Sequence, residues 1–181
     1  MPVTINGNGS ISGLSVGGLG DGAIVDAGSL TAGSVIQMQN VTISGNNVRT
    51  TTTTGSWLDN YSTTNQYQQI EFTPKFSNSK LLLLASGGLR YNADTQGNAG
   101  YAQVRIIDAT NSNTQVAYTK YGMYAYTGGY IRSSGHWTCM SYINASSTNM
   151  RRYNCQYYFD GAQTYYYGTE GDSITVMEIR Q

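Results

Sequence analysis

The stretch "QIEFTPKFSNSKLLLLAS", residues 69–86, contains two different strand patterns joined by a turn. In the first pattern, Ile70 and Phe72 alternate with polar residues, as in a strand with one buried face. In the second, residues 80–86 are apolar on both faces, so we expect this strand to lie in the middle of a sheet. The glycines that follow, in "GGL" (87–89), are expected to bend the chain.

Similar short strands continue to the C-terminus, with turns between them. The segments "YAQVRII" (101–107), "HWTCMSYI" (136–143) and "RRYNCQYYF" (151–159) place apolar residues at alternate positions. The segment "SITVMEI" (173–179) is apolar without clean alternation, which is typical of a strand covered on both faces, as at a subunit interface. About eight to ten strands in roughly 140 residues, with no helix of useful length, predict an all-β fold, a jelly-roll-like β-sandwich.

The composition is low in charge and rich in glycine and tyrosine. Charged residues make up 11% of the 181 residues, and ten Lys and Arg balance ten Asp and Glu. A typical soluble domain has about 25% charged residues. Because a neutral chain has no field that attracts nucleic acid or an anionic membrane, we expect neither as a partner. Copies of such a chain also repel each other little, so we expect self-association.

The chain divides into three parts by composition: a Gly-rich arm (1–33), a strand with a Thr-rich tether (34–65) and a β-sandwich knob (66–181). The arm holds nine glycines and only two charged residues, with single aliphatic residues between them. Scattered aliphatics give no continuous face to bury, so the arm needs contacts from other chains to become ordered. We therefore interpret it as an anchor, and the tether, residues 44–65, as a long loop.

The sequence offers no convincing catalytic, metal or cofactor site. Ser15 lies in a G-x-S-x-G match, but a nucleophile elbow needs a strand before it and a helix after it, and glycines surround Ser15 instead. His136 lacks the partners of a triad and is expected on the outer face of a strand. Asp160, Glu170 and Asp172 lie in turns without calcium-loop spacing, which favours turn residues that bond their own backbone. The prediction is a protein that is not an enzyme and carries no cofactor.

The two cysteines and the first residues bear on where the protein resides. Cys139 and Cys155 lie in strand-like segments, which favours two buried thiols and leaves a mutual disulfide as the alternative. The N-terminus lacks the basic start and apolar core of a signal peptide, and no stretch has the length of a membrane span. We therefore expect neither secretion nor insertion into a membrane.

Tyrosines are concentrated in the second half of the chain, with twelve of the sixteen between Tyr118 and Tyr167. Tyrosine offers a large, stiff, amphipathic surface, which suits cores, subunit interfaces and sugar-binding faces. Core and interface packing is the favoured interpretation here, and ligand recognition is the alternative. The candidates for an exposed ligand or partner surface are Tyr124, Tyr126, Tyr130, Tyr165 and Tyr166.

Three segments resemble a widespread group of bacteriophage virion proteins, often labelled tail fibre or head fibre. They are "AGSVIQMQNV" (32–41), the turn at Thr73, Pro74, Ser79 and Lys80 with its apolar strand, and the ending "DSITVMEIRQ" (172–181). In such proteins a Gly-rich arm, here "INGNGSISGL", precedes a small all-β knob. The resemblance implies a homotrimer on the outer surface of the phage particle, assembled in the host cytoplasm, and it assigns no active site.

The short arm favours a capsid decoration protein, of the cement or head-fibre type, over a long adhesive fibre. Fully extended at about 3.3 Å per residue, such an arm spans on the order of 100 Å, so the knob stays close to the shell. The expected partner is the major capsid protein, and the expected anchoring residues are Val3, Ile5, Ile11, Leu14, Val16 and Leu19. The alternative is a short tail fibre or baseplate receptor-binding protein whose Tyr-rich loops recognise a host glycan.

Overall fold

The computed structural model describes the greater part of the chain. The described residues are 4–5, 11–12, 30, 32–43, 49–51, 55–60, 67–93, 99–124, 131–160, 164–167 and 171–181. For some strand segments only the backbone is described, namely 4–5, 11–12, 49–51, 90–93, 99–100, 122–124, 131–134 and 164–167.

The chain forms two compact units, Met1–Leu30 and Thr31–Gln181. In the first unit, β1 (Thr4–Ile5) pairs antiparallel with β2 (Ile11–Ser12), and Ile5 lies opposite Ile11. Of the rest of the predicted arm, only residues 30, 32 and 33 are described.

Where the second unit is described, its regular elements are all strands. Its strands are β3 (Val35–Thr42), β4 (Arg49–Thr51), β5 (Trp57–Asp59), β6 (Gln69–Phe72), β7 (Lys80–Ala93), β8 (Ala99–Asp108), β9 (Thr114–Tyr124), β10 (Ile131–Asn144), β11 (Arg151–Asp160), β12 (Thr164–Tyr167) and β13 (Ser173–Ile179). Within the part of the chain that the structure describes, no helix has the length and apolar character needed to cross a membrane.

The strands form two antiparallel sheets that pack as a β-sandwich. In the first sheet the order is β3-β13-β7-β12-β4, and β10 pairs with β7. In the second sheet the order is β5-β11-β8-β9, and β6 pairs with β11. Eight of these strands, β6 to β13, lie in the predicted knob. The all-β, jelly-roll-like sandwich expected from the sequence is therefore confirmed, as is the central place of β7.

Alternate residues of both sheets fill the space between them, as the sequence pattern predicts. In β11, Tyr153, Cys155, Tyr157 and Phe159 are buried side by side, and the intervening residues point outward. The same alternation buries alternate residues in β6, β7, β8, β10 and β13, and they join one apolar cluster. Burial of this surface is the main favourable contribution to the stability of the fold.

Two expectations about local structure are wrong. The chain does not bend at "GGL", because β7 runs without interruption through Gly87 and Gly88 to Ala93. The segment expected to be a long loop contains the short strands β4 and β5, which find their partners in β12 and β11. In both cases pairing with strands far away in sequence decides the conformation.

The buried carboxylate of Glu178 joins three distant parts of the chain. Its two oxygens accept hydrogen bonds from the backbone N–H of Lys75 (2.9 and 3.0 Å), the N–H of Phe76 (2.9 Å), the Ser79 hydroxyl (2.6 Å) and the Gln37 side-chain amide (2.7 Å). Burial alone would raise the pKa of Glu178, but these hydrogen bonds outweigh it and hold the pKa below its ordinary value. The turn between β6 and β7 is thereby fixed to β13 and β3.

Candidate functional site

A small pocket opens at the edge where β7 and β10 pass the start of β13. Its volume is about 220 Å³, which is below the range of roughly 300–1,000 Å³ usual for pockets that bind small molecules. Its lining residues are Ser86, Gly87, Gly88, His136, Trp137, Thr138, Gly171 and Asp172.

Asp172, which is fully buried, is one of the residues that line this pocket. Its Oδ1 accepts a hydrogen bond from the Gly88 N–H at 2.8 Å, and its Oδ2 accepts one from the Asn60 amide at 3.0 Å. The hydroxyl of Tyr157 donates to Oδ2 at 3.4 Å. The pairing of β13 with β7 ends at Ser86. Beyond that point, the backbone N–H of Gly88 in β7 donates to the Asp172 side chain instead of to a strand.

Tyr157 and Trp137 extend this polar cluster into the core. The indole N–H of Trp137 donates to the Tyr157 hydroxyl at 3.0 Å, and the two rings meet edge to face with centroids 5.6 Å apart. Burial, and then the charge of Asp172, raise the pKa of Tyr157 well above its ordinary value. The hydroxyl therefore stays protonated, and the cluster ties the two sheets together.

The carboxylates that the sequence places in turns have different surroundings. Asp172 bonds to the backbone of Gly88, which lies 84 positions away and outside its own turn. Asp160 ends β11 and is exposed, and Glu170 lies outside the described residues. Among the residues whose positions are described, no group of three or more His, Cys, Asp and Glu is arranged to hold a metal ion.

Cys139 and Cys155 are both buried and free, which confirms the prediction of two thiols. Burial raises the pKa of Cys139 to about 11, and burial together with the neighbouring charges of Cys139 and Asp172 raises the pKa of Cys155 well above its ordinary value. Since the thiolate is the reactive form, neither side chain is prepared for nucleophilic chemistry. His136 is exposed on the outer side of β10, as expected.

An exposed apolar surface lies on the outer side of the first sheet, and we call it the outer apolar face. Met140, Met38 and Tyr142 are 66%, 59% and 52% exposed, whereas Leu82, Leu84 and Met177 are half-buried. The outer apolar face consists of these six residues: Met38, Leu82, Leu84, Met140, Tyr142 and Met177.

Strand register places these side chains in adjacent rows. Tyr142 lies opposite Leu82, Leu82 opposite Met177, and Met177 opposite Met38, so one row crosses all four strands. The next row places Met140 beside Leu84. Cross-strand neighbours about 5 Å apart form a continuous surface, so the outer apolar face is one patch.

The outer side of the second sheet is chemically different. There the guanidinium of Arg105 lies 4.0 Å from the centre of the Trp57 ring and donates to the Gln156 side-chain oxygen at 2.9 and 2.7 Å. The ammonium of Lys120 lies 4.1 Å from the centre of the Tyr101 ring. Charged groups thus lie over the Trp57 and Tyr101 rings of this side.

No protein-family model and no curated protein sequence matches this chain. Among solved structures, the VP2 subviral particle of infectious bursal disease virus is similar with a TM-score of 0.23 and 11% identity, covering 79% of this chain and 40% of that chain. A structure of the Gx strain of the same virus gives a TM-score of 0.20 and 12% identity, covering 83% and 38%. The chain therefore spans about two fifths of these virus proteins, and the likeness is too weak to carry a conclusion about function.

The residues predicted to form functional surfaces lie mostly outside the described residues. Of the six anchoring candidates, Val3, Leu14, Val16 and Leu19 lie outside them, and for Ile5 and Ile11 only the backbone pairing is described. Tyr126 and Tyr130 also lie outside. Tyr124 ends β9, and Tyr165 and Tyr166 belong to β12, with their side chains undescribed. The predicted surfaces stay predictions.

Sequence reasoning missed the Asp172 cluster and only partly anticipated the outer apolar face. The partners of Asp172, which include Asn60, Gly88 and Tyr157, are far apart in the chain, so no local pattern marks them. The face did have a signal, because the segments 80–86 and 173–179 are apolar at both odd and even positions. In the single chain, one apolar side of each segment is buried in the core, and the other side stays partly exposed.

Proposed function

We propose that this chain is a non-enzymatic structural protein of a bacteriophage virion, a trimeric decoration protein of the cement or head-fibre type on the capsid surface. Its N-terminal arm binds the major capsid protein, and its β-sandwich projects from the shell. The polar groups of the pocket support a structural role, because Asp172, Tyr157 and Trp137 bond to one another and to backbone rather than facing a substrate.

The observation that carries the proposal is the junction at Glu178. The three segments that resemble the phage proteins are separated in sequence, yet Gln37 from the first, Ser79 from the second and Glu178 from the third meet there. The resemblance therefore covers residues that depend on one another physically, which supports a common fold and, with it, a common place in a virion.

The arm is tested by deletion. Removing residues 2–20 is expected to release the protein from purified phage particles while the free protein still forms a folded trimer. The matched control replaces the polar arm residues Asn6 and Asn8 with alanine, which should leave binding intact. Copies per particle are measured by quantitative gel analysis, and the free protein by light scattering. Retention of the deleted protein on particles would contradict anchoring by the arm.

The alternative function, a tail or baseplate protein that binds a host glycan, is favoured by one feature. Tyr101 and Tyr118 are exposed on the second sheet, and the Tyr118 hydroxyl donates to the Gln103 amide oxygen at 3.1 Å, an arrangement of rings and amides that suits sugars. Glycan-array binding that is lost in Tyr101→Ala or in Tyr126→Ala would support it. Copy number separates the two functions, since hundreds per particle indicate decoration and a handful indicates a tail.

A further inference from the structure

We propose that the outer apolar face is the surface through which copies of this chain associate. The inference rests on the proposed function, because it names the contact surface of the proposed trimer. In one chain this surface is uncovered, although its side chains have the apolar character of an interior. A second copy of the same chain is the occupant to which the following observations point.

The size of the face is that of an interface core. Four strands about 4.8 Å apart, over the four residues of about 3.4 Å each that two rows span, give the face a projected area of roughly 260 Å². Polar rows lie on either side of it, with Ser86 and Ser173 in one and Lys80 and Asn144 in the other. A stable interface covers about 800 Å² on each partner, with an apolar centre and a polar rim. The face therefore supplies the centre, and the flanking edges of β3 and β10 are placed to supply the rim.

The charge of the face favours a copy of the same chain. The described residues of its two rows carry no charge. Lys80 lies in the next row, where it donates to the Asn144 side-chain oxygen and lies 5.7 Å from the centre of the Tyr142 ring. Like charges across an interface are costly. Because the face carries almost no charge, two copies can meet there without repulsion.

The residue types of the face fit contact with a protein surface. Met38, Met140 and Met177 contribute flexible, polarisable thioethers, which adapt to an irregular partner. Methionine and tyrosine are also enriched at interfaces between proteins. On the outer side of the second sheet, Arg105 and Lys120 lie over the Trp57 and Tyr101 rings, so charged groups stand among its aromatic side chains. Of the two sides of the sandwich, the first sheet is thus the one that copies share.

The test places charge on the face of the full chain. The variants are Met140→Glu and the double substitution Met38→Glu with Met140→Glu, at the two most exposed apolar side chains. The matched control is Tyr118→Glu, which introduces the same charge at a position 47% exposed on the second sheet. Mass is measured by light scattering and sedimentation over a concentration series, and folding by circular dichroism and thermal melting. We expect the wild type and the control to be trimers, and the double variant to be a folded monomer, with association at least about tenfold weaker.

Each other outcome overturns a defined part of the account. A trimeric double variant would overturn the inference and leave the proposed trimer intact, with its contacts elsewhere. A trimeric double variant in which residues 1–30 become newly sensitive to protease would show that the arm, and not a second copy, covers the face. A monomeric wild type would overturn both the inference and the trimer of the proposed function. Release of the protein from particles by the arm deletion tests decoration separately.

Discussion

At the scale of single residues, Glu178 shows how a buried charge can be stabilising. A carboxylate without partners is costly to bury, but this one accepts hydrogen bonds from two backbone N–H groups, a hydroxyl and an amide. Without this carboxylate, the backbone N–H groups of Lys75 and Phe76 would lose their acceptor inside the turn between β6 and β7. The position of the turn therefore depends on an acid nearly a hundred residues further along the chain.

The substitution Glu178→Gln is expected to destabilise the fold by about 2–4 kcal/mol at neutral pH, because an NH₂ group then faces the donors of Lys75, Phe76 or Ser79. Urea unfolding followed by circular dichroism measures the change. The control is Glu71→Gln, whose carboxylate is half-exposed and bonds to Arg152 at the surface, and which should cost less than about 1 kcal/mol. Equal effects of the two substitutions would contradict the role given to Glu178.

The unfolding free energies of the wild type and of Glu178→Gln should depend differently on pH. The pKa of Glu178 is lowered in the folded state, so its stabilising contribution is fully present above the unfolded value of about 4.3 and is lost as the pH falls through the folded pKa. The difference in unfolding free energy between wild type and Glu178→Gln should therefore shrink from pH 5 downward. A difference that stays constant to pH 2 would show that the carboxylate charge does not matter.

At the scale of elements, β7 is continuous where the sequence suggested a break. A Cβ on Gly87 would lie 2.6 Å from the Trp137 ring and 2.7 Å from Asp172 Oδ1. The glycine is thus needed because two side chains approach the strand closely, and not because the chain turns. Asp172 is fixed by its bond to Gly88 and has little room to move away.

Replacing Gly87 with alanine should therefore destabilise the sandwich by about 1–3 kcal/mol through overpacking. Ser86→Thr is the matched control, because it adds a methyl group on the same strand where the pocket leaves room, and it should cost less than about 0.5 kcal/mol. Thermal melting compares the two variants. A Gly87→Ala protein as stable as the control would mean that Trp137 and Asp172 can move aside freely.

The strands that were predicted correctly are those in which apolar and polar residues alternate along the sequence. Ile70 and Phe72 in β6, and the buried tyrosines of β11, follow the period of two and lie inside. Strands β4 and β5 could not be predicted in this way, because each has only three residues and is held by partners about a hundred residues away, such as Tyr157 opposite Leu58. The prediction of a bend at Gly87 and Gly88 was wrong, because glycine marks both a bend and a place where a side chain packs closely on the backbone, and the sequence does not distinguish the two.

At the scale of the whole molecule, the two sides of the sandwich have different chemistry. The first sheet presents the methionines and leucines of the outer apolar face, and the second presents Arg105, Lys120 and amide groups. The sequence indicated half of this, since the segments 80–86 and 173–179 are apolar at both odd and even positions. It could not indicate that β3 and β10 carry apolar side chains into the same rows, because that follows from register alone.

This difference predicts how assembly responds to salt. Raising NaCl from about 0.1 to 1 M shortens the Debye length from about 10 Å to 3 Å and weakens contacts between exposed charges. An assembly held by the outer apolar face should keep its mass or strengthen slightly, because burial of apolar surface does not depend on charge. Sedimentation at both salt concentrations measures this, with the Tyr118→Glu control run in parallel. Dissociation at high salt would show that charged groups, and therefore a different surface, hold the copies together.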